Sequence, residues 1–226
     1  MALGTREMIE GGFEKEQVVQ TSGEVSSADL SSVTFALERD GRDNPFLPRR
    51  GTWSRLSGTQ TDKQEVLRTT STRRDARTSA AELSVDWHQP MTSVQGLALE
   101  LRAAGRFSSQ EILADWERWP LGGASSLRGH DEEAFRVDRF VLTRAEWRFF
   151  VGPRGERLAL FYDHAEMQTR RPQPDGSSLL DRESADGVGF GMRLPAAGGL
   201  VDLDYGLEPG RSFLEGKIHL RLVTAF

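Results

Sequence analysis

Leu121-Gly122-Gly123-Ala124-Ser125-Ser126-Leu127-Arg128-Gly129-His130 lies inside the longest stretch of the chain without a strand-like pattern, about 103–139, and just before its clearest strand. Gly122, Gly123 and Gly129 allow positive φ and close backbone approach, which suits a tight loop more than a helix. A phosphate-cradling loop would need a strand-loop-helix with Lys-Ser/Thr after the glycines, and none follows. Ser126, His130 and Asp131 share the loop, but a Ser-His-Asp triad needs its base on a rigid scaffold, and no Gly-x-Ser-x-Gly elbow is present. An enzyme is not expected.

Outward from this loop the dominant signal is period-two alternation. In 141–149, Arg144, Glu146 and Arg148 share one face, with Thr143, Ala145, Trp147 and Phe149 on the other. Leu158, Leu160 and Tyr162 oppose Arg157, Ala159, Phe161 and Asp163. Similar segments occur at 33–38, 81–87, 97–102, 187–193, 201–207 and 217–226, with weaker ones near 3–17 and 51–62. About ten strands are predicted, joined by turn sequences such as Asp40-Gly41, Pro172-Gln173-Pro174-Asp175-Gly176 and Glu208-Pro209-Gly210. Only 108–119 could form a short helix. Asp40, Arg42, Asp43 and Asn44 look superficially like a calcium loop. The intervening arginine and the missing distal glutamate favour a turn capped by Asx side chains instead.

The chain has 226 residues, no cysteine and a formal net charge of −5, with 37% hydrophobic and 28% charged residues. Disulfides, thiol chemistry and cysteine-held zinc are therefore excluded. The acidic balance, with no basic run interleaved with aromatics, argues against nucleic acid. No apolar run of about 18 residues could form a transmembrane helix. The N-terminus reads as lacking a signal peptide.

A mean hydropathy of −0.49 fits a soluble sandwich or small barrel. It fits equally a membrane barrel with one lipid face and one wet face. Three features favour the membrane. The polar face is charged and glycine-rich, as in Arg144, Glu146, Arg148, Gly187, Gly189, Gly191, Asp202 and Asp204. Trp53, Trp87, Trp147, Tyr162, Tyr205 and Phe226 fall near predicted strand ends, where interfacial girdles would sit. The last strand ends on an aromatic residue with no polar tail.

The 121–130 segment resembles the loop signature of the bacterial outer-membrane barrel assembly and secretion superfamily (BamA/TamA-like): a Gly-Gly pair, a spacer, then an apolar residue, Arg, Gly and an aromatic. Further segments resemble the family in family order. They are the Asp40-Gly41-Arg42-Asp43 to Gly51 hairpin, 145–149 as its Glu-x-Arg strand, 161–165 as its Phe-x-Asp-x-Gly strand, 187–193 as its glycine-rich strand, and 199–206 before the terminal strand. His130 stands where the family has Phe or Tyr, and Ala165 where it has Gly.

The resemblance implies an all-β, antiparallel transmembrane barrel of sixteen strands preceded by POTRA modules. Residues 1–226 then read as the C-terminal part of that barrel, with about ten strands and no POTRA. It implies that Arg128 folds into the lumen and pairs with Glu146 and Asp163, both placed on the polar face by alternation. It also implies that Ile218, Leu220, Leu222 and Phe226 form a C-terminal strand signal. Gly187, Gly189 and Gly191 share a face, and either leave room for the inserted loop or let a glycine-rich strand bend. The expected location is the bacterial outer membrane, and the expected role is assembly, insertion or translocation of proteins there. Expected partners are the bilayer, unfolded client proteins, accessory assembly proteins, and a second copy joined through open strand edges. No cofactor or metal is expected. The alternatives are a passive, surface-antigen-like barrel and a soluble ligand-binding barrel.

Overall fold

Alternation over long segments yields one antiparallel sheet. The computed structural model describes residues 5–19, 25–67, 69, 73–109, 112–153, 155–196 and 199–223. Strands β1 (Arg6–Val19), β2 (Val25–Asp40), β3 (Gly51–Leu67), β4 (Arg73–Pro90) and β5 (Gln95–Ser108) pair in sequence order. After a connection holding the two-stranded β6 (Trp119–Leu121) and β7 (Phe135–Val137), β8 (Arg139–Phe150) pairs with β5. Then β9 (Arg157–Pro172), β10 (Ser178–Ala196), β11 (Gly199–Leu207) and β12 (Lys217–Val223) complete a ten-stranded sheet. β1 and β12 each pair on one side only among the described residues, so the sheet is not closed.

The two faces follow the alternation. Val141, Trp147, Leu158, Leu160, Tyr162, Phe190 and Leu194 are exposed on the outer face. Arg144, Glu146, Arg157, Asp163, Arg193, Asp202 and His219 are buried on the inner one. Sheets in water bury the apolar face; here the charged face is buried and the apolar face exposed, as for a wall in lipid.

The apolar band on the outer face is slanted against the hydrogen-bond register. On β2 it centres on Phe35, between exposed Val33 and Leu37. Phe35 registers with Gly58, then Ala81, Gly105, Arg139 and finally Gln168 on β9. On β9, however, the band centres on Leu160, between Leu158 and Tyr162, eight residues from Gln168 (168 − 160). Eight residues at ~3.4 Å over five strand steps at ~4.8 Å is a slope of about 48°. Barrel strands tilt by ~35–45° so that such a band stays level in the bilayer.

The structure differs from the sequence expectation in three places. Strand β5 runs to Ser108, so the long connection is 109–138 and not 103–139. Ala103, Gly105 and Phe107 simply continue the outward alternation. Within 108–119 the described residues hold one turn of 3-10 helix, Asp115–Glu117, in place of a longer helix. Trp53 is not part of an outer girdle: it faces inward and its Nε1 donates to Glu38 at 2.9 Å.

The 41–50 connection is an Asx-capped turn. Asp43 Oδ1 accepts from the backbone N–H of Asn44, Arg49 and Arg50, and Asn44 Oδ1 from Phe46 and Leu47. Gly51 closes it with a φ of 106°, and a Cβ there would stand 2.2 Å from the Gly41 carbonyl oxygen.

Candidate functional site: the loop held against the inner face

The 109–138 connection is a strap laid across the inner face. Its ends meet in the short β6–β7 pair, with Leu121 opposite Phe135. The tip is tightened by Ser126, whose Oγ accepts from Gly122 N–H at 2.8 Å and donates to the Gly122 carbonyl at 2.9 Å. That hydroxyl is fully committed to loop geometry. Gly122, Gly123 and Gly129 all have positive φ. Leu121 and Leu127 pack into the cluster formed with Val137, Phe140, Leu142, Ala165 and Met167. Burying apolar side chains on both sides of Arg128 fixes where its guanidinium goes.

Arg128 is 1% exposed. Its Nε and Nη2 donate to the two oxygens of Asp163 at 2.8 and 2.7 Å, a bidentate pair, and its backbone N–H adds a third bond at 3.1 Å. Nη1 donates to Glu146 at 2.8 Å and lies 3.5 Å from Asp204. The guanidinium carbon is 3.5 Å from the centre of the Phe161 ring. One cation is thus held by carboxylates from β8, β9 and β11, so its position is fixed in three directions. Charge-assisted bidentate bonds of this kind are roughly twice as strong as neutral ones.

Small residues let the loop approach. A Cβ on Gly187 would stand 1.8 Å from the Arg128 carbonyl oxygen, and one on Gly206 2.4 Å from Gly129 N. Gly189 and Gly191 do not touch the loop. A Cβ on Gly189 would meet Tyr205 O on β11 and, at 2.6 Å, the Phe161 ring on β9; one on Gly191 would meet Asp204 Oδ1 on β11. Gly129 N–H donates to His219 Nε2 at 3.2 Å, reaching β12. His130 Nε2 lies 3.0 Å from the Asp186 carbonyl oxygen, and its ring packs edge-on against Phe135 at 5.3 Å. The imidazole here fills an aromatic role and adds a hydrogen bond.

Two further anchors were not legible in the sequence. Glu117 Oε1 accepts from Lys63 Nζ on β3 at 2.8 Å and from Thr78 Oγ1 on β4 at 3.2 Å. Asp138 accepts from Arg118 Nε at 3.2 Å and from Arg170 N–H at 2.8 Å, tying both loop ends to β9. At the rim, Lys217 Nζ reaches Asp131 at 2.7 Å, which holds that carboxyl below the usual range. Ile218, Leu220 and Leu222 project outward from β12, with Ile218 at 73% and Leu220 at 71% exposed. Phe226 lies outside the described residues. Among the described residues no cluster of His, Asp and Glu could hold a metal ion.

Comparison with known proteins gives the family and the fold of this sheet. The Omp85 superfamily domain matches residues 9–212. The chain belongs to the Omp85 superfamily. It is an outer-membrane protein of that superfamily. Among solved structures it is similar to the crystal structure of BamA from Haemophilus ducreyi lacking POTRA domains 1-3, with a TM-score of 0.55 at 11% identity. The match covers 95% of this chain and 57% of the BamA chain, and it shows the fold. A search of the curated proteins finds no match.

Proposed function

We propose that this chain forms the C-terminal wall of a barrel that assembles or inserts other β-strand proteins at the bacterial outer membrane. The observation that carries the reading is β12, which pairs on one side only among the described residues, at the end of a sheet whose inner face is braced by the loop. An unpaired edge offers N–H and C=O groups to an incoming strand. The Arg128 network keeps the adjoining wall in place while that edge exchanges partners. No bond is made or broken, so the mechanism is one of templating. The lipid bilayer contacts the outer face, and unfolded barrel proteins, with accessory assembly proteins, are the partners. Where no client is present the same edge pairs with a second copy.

The test is a folding assay. The full chain is reconstituted in liposomes, an unfolded outer-membrane barrel protein is added, and its folding is followed by the gel-mobility change of folded barrels. Several-fold faster folding than in empty liposomes is expected. Equal rates in the two samples would remove the assembly role and leave a passive barrel.

A further inference from the structure

Where the 41–50 connection folds toward the sheet, the inner face lines a half-open cavity of about 190 Å³, room for several waters at ~10–15 Å³ each. Six arginines line it: Arg42, Arg144, Arg148, Arg157, Arg193 and Arg221. The acids lining it are Asp86, Glu100 and Glu146. Most of these cations are already engaged. Arg42 pairs with Asp40 at 2.8 Å, Arg144 with Glu100 at 3.0 Å and Arg148 with Glu146 at 2.7 Å. Arg193 and Arg221 share Asp202, at 2.6 and 2.9 Å.

Arg157 is different. It is 8% exposed, and its ion pair is with Glu146 Oε2 at 3.6 Å, beyond hydrogen-bond range. Glu146 is itself claimed by Arg128 and Arg148. Three other nitrogens, on residues that line the same cavity, are buried without a hydrogen bond: Arg144 Nε, Arg221 Nε and His88 Nε2. Arg144 Nε has Asp163 Oδ1 at 3.5 Å as an ion pair only. His88 Nδ1 lies 3.1 Å from Arg148 Nη1 and accepts from it, which places the imidazole proton on Nε2. All three are therefore donors, and buried donors without acceptors are costly. What would satisfy them is a ligand made only of acceptors. The 41–50 connection supplies an apolar wall through Pro45, Phe46 and Pro48, and so lowers the local dielectric around such a ligand.

We infer that this cavity binds a phosphate-type oxyanion between Arg157 and the donors of His88, Arg144 and Arg221, as free phosphate or as the headgroup of an anionic phospholipid. This goes beyond the assembly role and does not depend on it. Inorganic phosphate is titrated calorimetrically into the full chain folded in a zwitterionic detergent, at ionic strength held constant with chloride. Saturable binding at one site is expected, weakened about tenfold or more in Arg157→Gln, since a charge-assisted contact is lost. Arg77→Gln, an exposed arginine away from the cavity, should bind as the unmodified chain does. A parallel sample in phosphate-free buffer, in vesicles of phosphatidylglycerol against vesicles of phosphatidylcholine, is followed by thermal unfolding. Binding of phosphate in detergent identifies the free anion, and stabilisation by phosphatidylglycerol alone identifies the headgroup. Absence of both, or unchanged binding in a folded Arg157→Gln, overturns the inference. Phosphorus-NMR broadening of phosphate by the unmodified protein reads the same site without a variant, and its absence together with no lipid effect is equally decisive.

Discussion

The two halves of the sheet carry different inner faces. Across β8 to β12 the inner wall is filled: Asp163, Glu146 and Asp204 converge on Arg128, and glycines at 187 and 206 admit the loop backbone. Across β2 and β3 the same wall carries hydroxyl pairs, Ser32 with Thr61 at 2.9 Å and Thr34 with Thr59 at 3.0 Å, and apart from Lys63 its charges, as in Arg55 with Glu38 at 3.0 Å, are only part-buried. The loop reaches this half chiefly through Glu117. Buried charges must keep their partners, since a carboxylate left alone out of water is costly. Hydroxyl pairs exchange readily with water. The half next to β1 therefore has less to lose by moving than the half next to β12.

Removing the central cation attacks this contrast most strongly. Arg128→Ala leaves Asp163 and Glu146 buried without their guanidinium, at a cost of about 3–5 kcal/mol. Limited proteolysis read by mass spectrometry should then find 109–138 cut rapidly, while amide exchange in β8 and β9 stays slow. If the loop remains protected, its apolar contacts through Leu121 and Leu127 hold it, and the ionic contrast is wrong. A smaller effect is expected from Glu117→Gln, about 1–3 kcal/mol. Exchange should rise around Lys63 and 112–118 but not at Gly129; a rise at Gly129 would mean the two anchors act as one. Smallest is the double change Thr34→Val with Thr59→Val, which replaces both hydroxyl partners by a similar shape and should stay within about 0.5 kcal/mol. A loss of several kcal/mol in thermal unfolding would show that this half is packed as tightly as the other.

The strands and their facing were legible in sequence because side-chain alternation has period two and is read locally. The 141–149 and 158–163 segments alternate without a break, and β8 and β9 follow them. Pairings across long separations were not legible from local pattern. Glu117 and Lys63 are 54 residues apart, and nothing in the Asp115-Trp116-Glu117 run marks its partner on β3. Asp204 was visible as a polar-face acid, yet its approach to Arg128 depends on how far the loop reaches, which alternation does not encode. Trp53 was misread because nearness to a strand end is independent of facing; its alternation with Arg55 and Ser57 was the usable signal. Overlong strands such as β5 were shortened in the reading because small residues, Ala103 and Gly105, dilute the apolar pattern while keeping its phase.

The slanted apolar band acts as a ruler for any strand that adds to β12. Between β2 and β9 the band shifts by eight residues over five strand steps, between one and two positions per neighbour on average. A newcomer that pairs with the edge must place its own apolar segment with that offset to lie level in the lipid. One displaced by several positions would lift polar side chains into hydrocarbon even if every backbone bond were made. The edge therefore selects for where the apolar segment lies along the strand as well as for its presence.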